Sequence, residues 1–90
     1  MEKAIITVVG KDTVGIIARV CTYLASSDVN ILDISQTIVS GYFNMMMVTD
    51  VSGASKGLGT IAGELEDLGK EMGLSIRCMR EDIFESMHRI

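Results

Sequence analysis

From Lys3 to Val9 the chain sets Ala4, Ile5, Ile6, Val8 and Val9 around a single threonine, a mostly β-branched run that suits a pleated strand. Gly10-Lys11-Asp12-Thr13 breaks this run with turn and capping chemistry. From Val14 to Ser26 the spacing changes. Ile17, Val20, Cys21 and Leu24 fall at i, i+3, i+4 and i+7, which predicts a helix with Asp12 or Thr13 as its N-cap. Ser27-Asp28 ends that helix without a glycine, so Asp28 is expected in the left-handed conformation, which Asp tolerates better than most residues.

A second strand is predicted from Asn30 to Val39. Leu32, Ile34 and Ile38 alternate with Ile31, Asp33, Ser35 and Thr37, giving one oily face and one mixed face. Ser40-Gly41 is a two-residue hairpin signal. The third strand, Tyr42 to Val51, contains Met45-Met46-Met47-Val48, which is apolar on both faces. Ser52 to Gly57 is a loop of small residues. Leu58 to Met72 predicts a second helix with Leu58, Ile61, Leu65, Leu68 and Met72 as its stripe. Gly59, Gly63 and Gly69 each lower its intrinsic propensity by up to about 1 kcal/mol against Ala, and close packing is expected to compensate at Gly63. Gly73 reads as the residue just past the helix end. Leu74 to Arg80 is a fourth strand. Glu81 to Ile90 reads as a short terminal helix with Ile83, Phe84 and Met87 on one side. Its acidic start (Glu81, Asp82) and basic finish (His88, Arg89) suit the helix dipole.

The order is β-α-β-β-α-β plus a terminal helix. Two right-handed crossovers in one sheet predict an α+β, ferredoxin-like sandwich: a four-stranded antiparallel sheet with two helices on one face. The chain is a single domain, 1–90, with its core over about 4–80 and the terminal helix over about 81–90. The opposite sheet face is uncovered in this plan. The two-sided apolar character of Met45 to Val48, with Ile5 and Val9, implies that part of that surface, or a sheet edge, is buried by a partner, most simply a second copy.

Composition narrows the function. Ninety residues support one modest core. The net charge of −4 argues against nucleic acid, whose binding rests on Lys and Arg neutralising phosphates. Two Tyr and two Phe, scattered, make no base-stacking platform. No apolar run is long enough for a membrane span or a signal peptide, so a cytoplasmic protein is expected. Cys21 and Cys78 are far apart and read as buried thiols. The methionines lack the soft companions a metal would need, and no cofactor motif is present. Glu64-Leu65-Glu66-Asp67 reads as a solvated helix face. An acylphosphatase-like hydrolase would require an arginine and an asparagine around an anion cradle. Arg19 and Asn44 are the only candidates, Arg19 lies a turn into the helix, and a glycine-rich lead-in is absent.

The strand-to-helix loop is the candidate site. Backbone N–H groups at a helix start are unpaired and favour an anion. Asp12 is a preferred helix cap in its own right. Gly10 and Gly15 keep the loop backbone approachable.

Val9-Gly10-Lys11-Asp12-Thr13-Val14-Gly15-Ile16, followed by Leu24 and then Val29-Asn30-Ile31, resembles the ACT domain, a small regulatory ligand-binding module. The resemblance runs from about Ala4 to Arg80. The length and the tail from Ile83 to Ile90 look like the small stand-alone ACT-domain proteins, a group similar to the ACT regulators of glycine cleavage. Many members have Pro where this chain has Val14, and Gly where it has Asp28. The resemblance implies a homodimer in which a small ligand, usually an amino acid, sits between the loop of one subunit and the start of the second strand of the other. The implied ligand-binding residues are Asp12, Thr13, Val14, Gly15, Ile16, Asn30 and Ile31, with no catalytic residue and no metal. It implies a non-enzymatic regulatory module with a regulated protein as a further partner. The competing reading is a protein-interaction adaptor whose ligand site has lapsed, working through the open sheet face or the terminal helix.

Overall fold

The structure, a computed structural model, describes residues 1–87. Seven elements follow in chain order: β1 (Lys3–Lys11), α1 (Ile16–Ser26), β2 (Asn30–Val39), β3 (Tyr42–Asp50), α2 (Leu58–Met72), β4 (Leu74–Arg80) and α3 (Glu81–Met87). His88 and Arg89, the expected basic end of the terminal helix, lie outside the described residues with Ile90. The four strands form one antiparallel sheet in the order β2-β3-β1-β4, so the ferredoxin-like plan holds. Ser40 and Gly41 both take positive φ, 52° and 80°, which matches the twist of the hairpin they join. Asp28 and Gly73 are left-handed as expected, at φ 57° and 71°.

Strand alternation builds the core. Ala4, Ile6 and Val8 of β1 face the same side as Phe43, Met45 and Met47 of β3 and Leu74 and Ile76 of β4. Ile16, Val20 and Leu24 of α1 and Ile61, Leu65 and Leu68 of α2 close over that side. The buried hydroxyl of Thr49 is satisfied, donating to the Ala4 carbonyl oxygen at 2.8 Å. The stripe of α1 is therefore Ile16-Val20-Leu24. Ile17, expected to head it, is 41% exposed. At the helix start Gly15, at φ 88°, turns the chain, so the helix begins at Ile16 rather than Val14, and Ile16 in place of Ile17 heads the buried stripe that Val20 and Leu24 continue.

The glycines also differ from expectation. Nothing lies within 4 Å of where a Cβ on Gly63 would be, so no close packing compensates there. Gly69 is the close approach, its missing Cβ falling 2.7 Å from the Leu74 carbonyl oxygen. Gly10 makes room for the Leu74 side chain rather than for a ligand.

Two surfaces are left without cover by the helix layer. Ile34 and Ile38 of β2 align with Met47 and Phe43 on the helix side, yet they are 45% and 52% exposed, because β2 is the outer strand. On the opposite face, Ile5 is buried although it belongs to no part of the helix-side core. α3 packs against β1 and β4 and supplies that cover. The rest of this face carries Val9, Val39, Tyr42 and Met46 exposed.

Candidate functional site

The loop after β1 is held at both ends. Lys11 pairs with Tyr42 at the end of the β1–β3 ladder. The Asp12 N–H then donates to the Gly41 carbonyl oxygen at 2.9 Å, tying the loop to the β2–β3 turn. Gly15, left-handed, occupies the N-cap position, and no side chain caps the helix. Neither Asp12 nor Thr13 is the cap, because Val14 and the left-handed Gly15 stand between them and Ile16. The first intrahelical bond runs from Arg19 N–H to the Gly15 carbonyl oxygen at 3.0 Å. The N–H groups of Ile16, Ile17 and Ala18 are thus the open donors of the first turn.

Beside them is a cavity of about 310 Å³, lined by Asp12, Thr13, Gly15, Ile16, Ile17, Ala18, Gln36 and Phe43. It offers one carboxylate (Asp12), a hydroxyl (Thr13), an amide (Gln36), main-chain donors and an apolar floor. Such a set suits a small zwitterion: donors for its carboxylate, Asp12 for its ammonium group and Phe43 for a short apolar part. The volume is at the low end for small-molecule sites.

Asp12, Thr13, Gly15 and Ile16 meet at this cavity. Val14 points into solvent at 99% exposure. Asn30 and Ile31 are not there. They pair with Asp50 and Thr49 at the far end of β2, and six residues of strand, about 20 Å, separate Asn30 from Gln36. Gln36, Phe43, Ile17 and Ala18 were absent from the sequence-derived set. Gln36 has a sequence signal: it is the polar residue between Ile34 and Ile38 on the helix-facing alternation of β2.

Other candidate chemistry disperses. Arg19 lies on α1 and forms an exposed ion pair with Glu71 at 3.7 Å. Asn44, between Phe43 and Met45, faces the opposite side of the sheet, so the two do not form an anion cradle. A polar cluster ties α1 to α2: Tyr23 donates its hydroxyl to Glu64 Oε1 at 2.7 Å and Lys56 Nζ donates to the same oxygen at 2.6 Å. Lys56 also lies 5.4 Å over the Tyr23 ring. The Lys56 bond, reinforced by Tyr23, holds the Glu64 carboxyl below its usual range. Burial, then the Glu64 bond, raises Tyr23, and the Glu64 bond raises Lys56. Burial pushes the Cys78 thiol up to about 11, so it is protonated and unreactive at neutral pH. Among the described residues no His, Cys, Asp and Glu group is placed to hold a metal, and no helix is long and apolar enough to cross a membrane.

A family model described as the ACT domain matches residues 2–79. The chain belongs to the ACT domain family. A UPF0237 protein of Bifidobacterium longum is 67% identical to this ACT-domain chain over 90 residues, covering all of both chains. The solved structure of an ACT domain protein from Streptococcus pneumoniae superposes with a TM-score of 0.81 at 42% identity, covering 93% of this chain and 94% of that one. The ACT fold also superposes on a putative glycine cleavage system transcriptional repressor with a TM-score of 0.77 at 24% identity, over 88% of this chain and 45% of that one. This last likeness concerns the fold.

Proposed function

We propose that this ACT-domain protein is a non-enzymatic regulatory module, a homodimer that binds a small amino acid where two subunits meet and passes its state to a protein partner. The observation that carries this reading is the position of Gln36 and Asn30 at opposite ends of one exposed edge strand. β2 is ten residues long and outermost, with Asp33 as its only charge and no Lys or Pro to blunt it. A second β2 laid antiparallel beside it, centred near Ile34, sets Ile34 against its counterpart. The same pairing carries the partner's Asn30 to the Gln36–Ile38 end, next to the cavity. The twofold axis is perpendicular to the sheet, so both helix layers stay on one side and two equivalent sites form.

In this arrangement the Ile16–Ala18 N–H groups take the ligand carboxylate and Asp12 its ammonium. Gln36 and the partner's Asn30 grip what remains. Ligand that touches both subunits favours one subunit arrangement over another, which is how binding becomes a signal. The test is a panel of amino acids added to the purified protein while its thermal unfolding is followed. A ligand at 100 times its Kd adds about 2.7 kcal/mol and raises Tm measurably. Loss of that rise in Asn30→Ala supports the shared site. No shift with any amino acid removes the ligand from the proposal.

A further inference from the structure

Gln36 stands where the strand pattern calls for an apolar residue. Ile34, Gln36 and Ile38 share the helix-facing side of β2, and across the ladder they meet Met47, Met45 and Phe43. Those three are buried in the core. The Gln36 side chain joins no part of that core. Among the described residues it makes no hydrogen bond. Its two N–H donors and its carbonyl oxygen are therefore open to a ligand in the cavity it lines.

The cavity divides the work around a bound amino acid. The loop side, with the Ile16–Ala18 N–H groups and Asp12, matches the carboxylate and ammonium groups that all amino acids share. That side cannot tell one from another. Discrimination is left to the sheet side, where Phe43 and Gln36 stand.

Charge narrows the class. Among the residues lining the cavity only Asp12 is charged, and the ligand's ammonium group uses it. Lys11 and Asp33 hold register positions opposite Tyr42 and Val48, on the other sheet face. An acidic side chain would find no cation here, and a basic one no second carboxylate. Hydrogen bonding narrows it further. In the β2-paired dimer the Ile34 pair and the partner's Asn30 close over the strand edge, so the Gln36 amide loses water when ligand is seated. An aliphatic side chain then leaves that amide unpaired, which weakens binding by about tenfold to a hundredfold. We infer that Gln36 selects the ligand: the site takes an amino acid whose side chain is neutral and carries a hydroxyl or a carboxamide, and it turns away aliphatic and charged ones. This rests on the amino-acid site proposed above and names the class that the site accepts.

Calorimetric titration of the full chain with matched amino acids tests it. Threonine against valine exchanges a hydroxyl for a methyl at constant shape. Asparagine against leucine does the same for a carboxamide, and asparagine against aspartate adds a charge. Whichever of threonine and asparagine binds tells hydroxyl from carboxamide, and it is expected to bind about tenfold to a hundredfold tighter than its matched partners. Gln36→Leu is expected to reverse that order in favour of the aliphatic partner. Should that variant not fold, Gln36→Glu keeps the shape and supplies a second carboxylate, so preference is expected to pass to a basic amino acid such as ornithine. Tightest wild-type binding by an aliphatic or charged amino acid overturns this inference and leaves the amino-acid site standing. So does a preference that the Gln36 variants leave unchanged. Binding of no amino acid overturns the site and this inference together.

Discussion

Gly69 of α2 lies so close to Leu74 of β4 that a Cβ on the glycine would fall 2.7 Å from the Leu74 carbonyl oxygen and 3.0 Å from Ile76 Cγ1. The helix can sit this low on the sheet because the side chain is missing, and Leu74 in turn fills the space above Gly10. Backbone cannot give way as a flexible side chain can. Gly69→Ala is therefore expected to destabilise by about 1–3 kcal/mol, as overpacking does. Gly63 occupies the same helix with open space around it, so Gly63→Ala is expected to stabilise by up to about 1 kcal/mol. Urea unfolding of the two variants checks this opposition of sign.

Gly15 is held by a different constraint. Nothing crowds its Cβ position, but its φ is 88°. An L-residue there pays roughly 1–2 kcal/mol of backbone strain, so Gly15→Ala is expected to destabilise by about that much. The relief of that strain moves the open N–H groups of Ile16 to Ala18. Amino-acid response in a thermal shift assay should fall more than the lost stability accounts for.

The Tyr23–Glu64–Lys56 cluster gives a pH signature. Glu64 binds its proton more weakly when folded than its ordinary value of 4.5. Its contribution is thus fully present above pH 4.5 and is lost as pH falls through the depressed folded value. Tyr23 and Lys56 shift upward from 10.0 and 10.5, so their contributions are present below those values and fade at more alkaline pH. The pair is half exposed and the effect is small. Glu64→Gln is expected to be less stable than the wild type at neutral pH, with the gap narrowing below pH 4.5. Denaturant midpoints of both proteins across that range measure it.

Ile34 tests the edge. It is 45% exposed in the single chain and central in the proposed β2 pairing. Ile34→Lys places a charge where the strand would meet its counterpart, an arrangement natural edges use to prevent pairing. The variant is expected to fold with nearly unchanged unfolding free energy per chain at high dilution, and to lose association in sedimentation velocity.

Most of the fold was legible because it depends on local chemistry. Alternation in Lys3–Val9 and Tyr42–Val51, the Ser40-Gly41 turn, and the left-handed Asp28 and Gly73 are each decided within a few residues. What escaped depends on which elements become neighbours. Gly63 and Gly69 look alike in sequence, and only the packing of α2 on β4 tells them apart. The helix start was placed early because Asp12 and Thr13 are good caps, whereas left-handed Gly15 was already the turn. Gln36 reaches the cavity through the pairing register with Met45, which a single strand does not reveal. Asn30 was assigned from the family resemblance, and within the chain it lies about 20 Å from Gln36 along β2.

The most direct test of a site shared between subunits is complementation by mixing. Asn30→Ala and Gln36→Ala chains are each prepared, then unfolded together and refolded as an equal mixture, and binding of the amino acid that stabilises the wild type is measured by calorimetry. Each variant alone should bind none. A mixed pair holds one intact site, formed by Gln36 of one chain and Asn30 of the other, so the mixture should recover about a quarter of the wild-type sites. No recovery, or full binding by either variant alone, would contradict a pocket built from two chains.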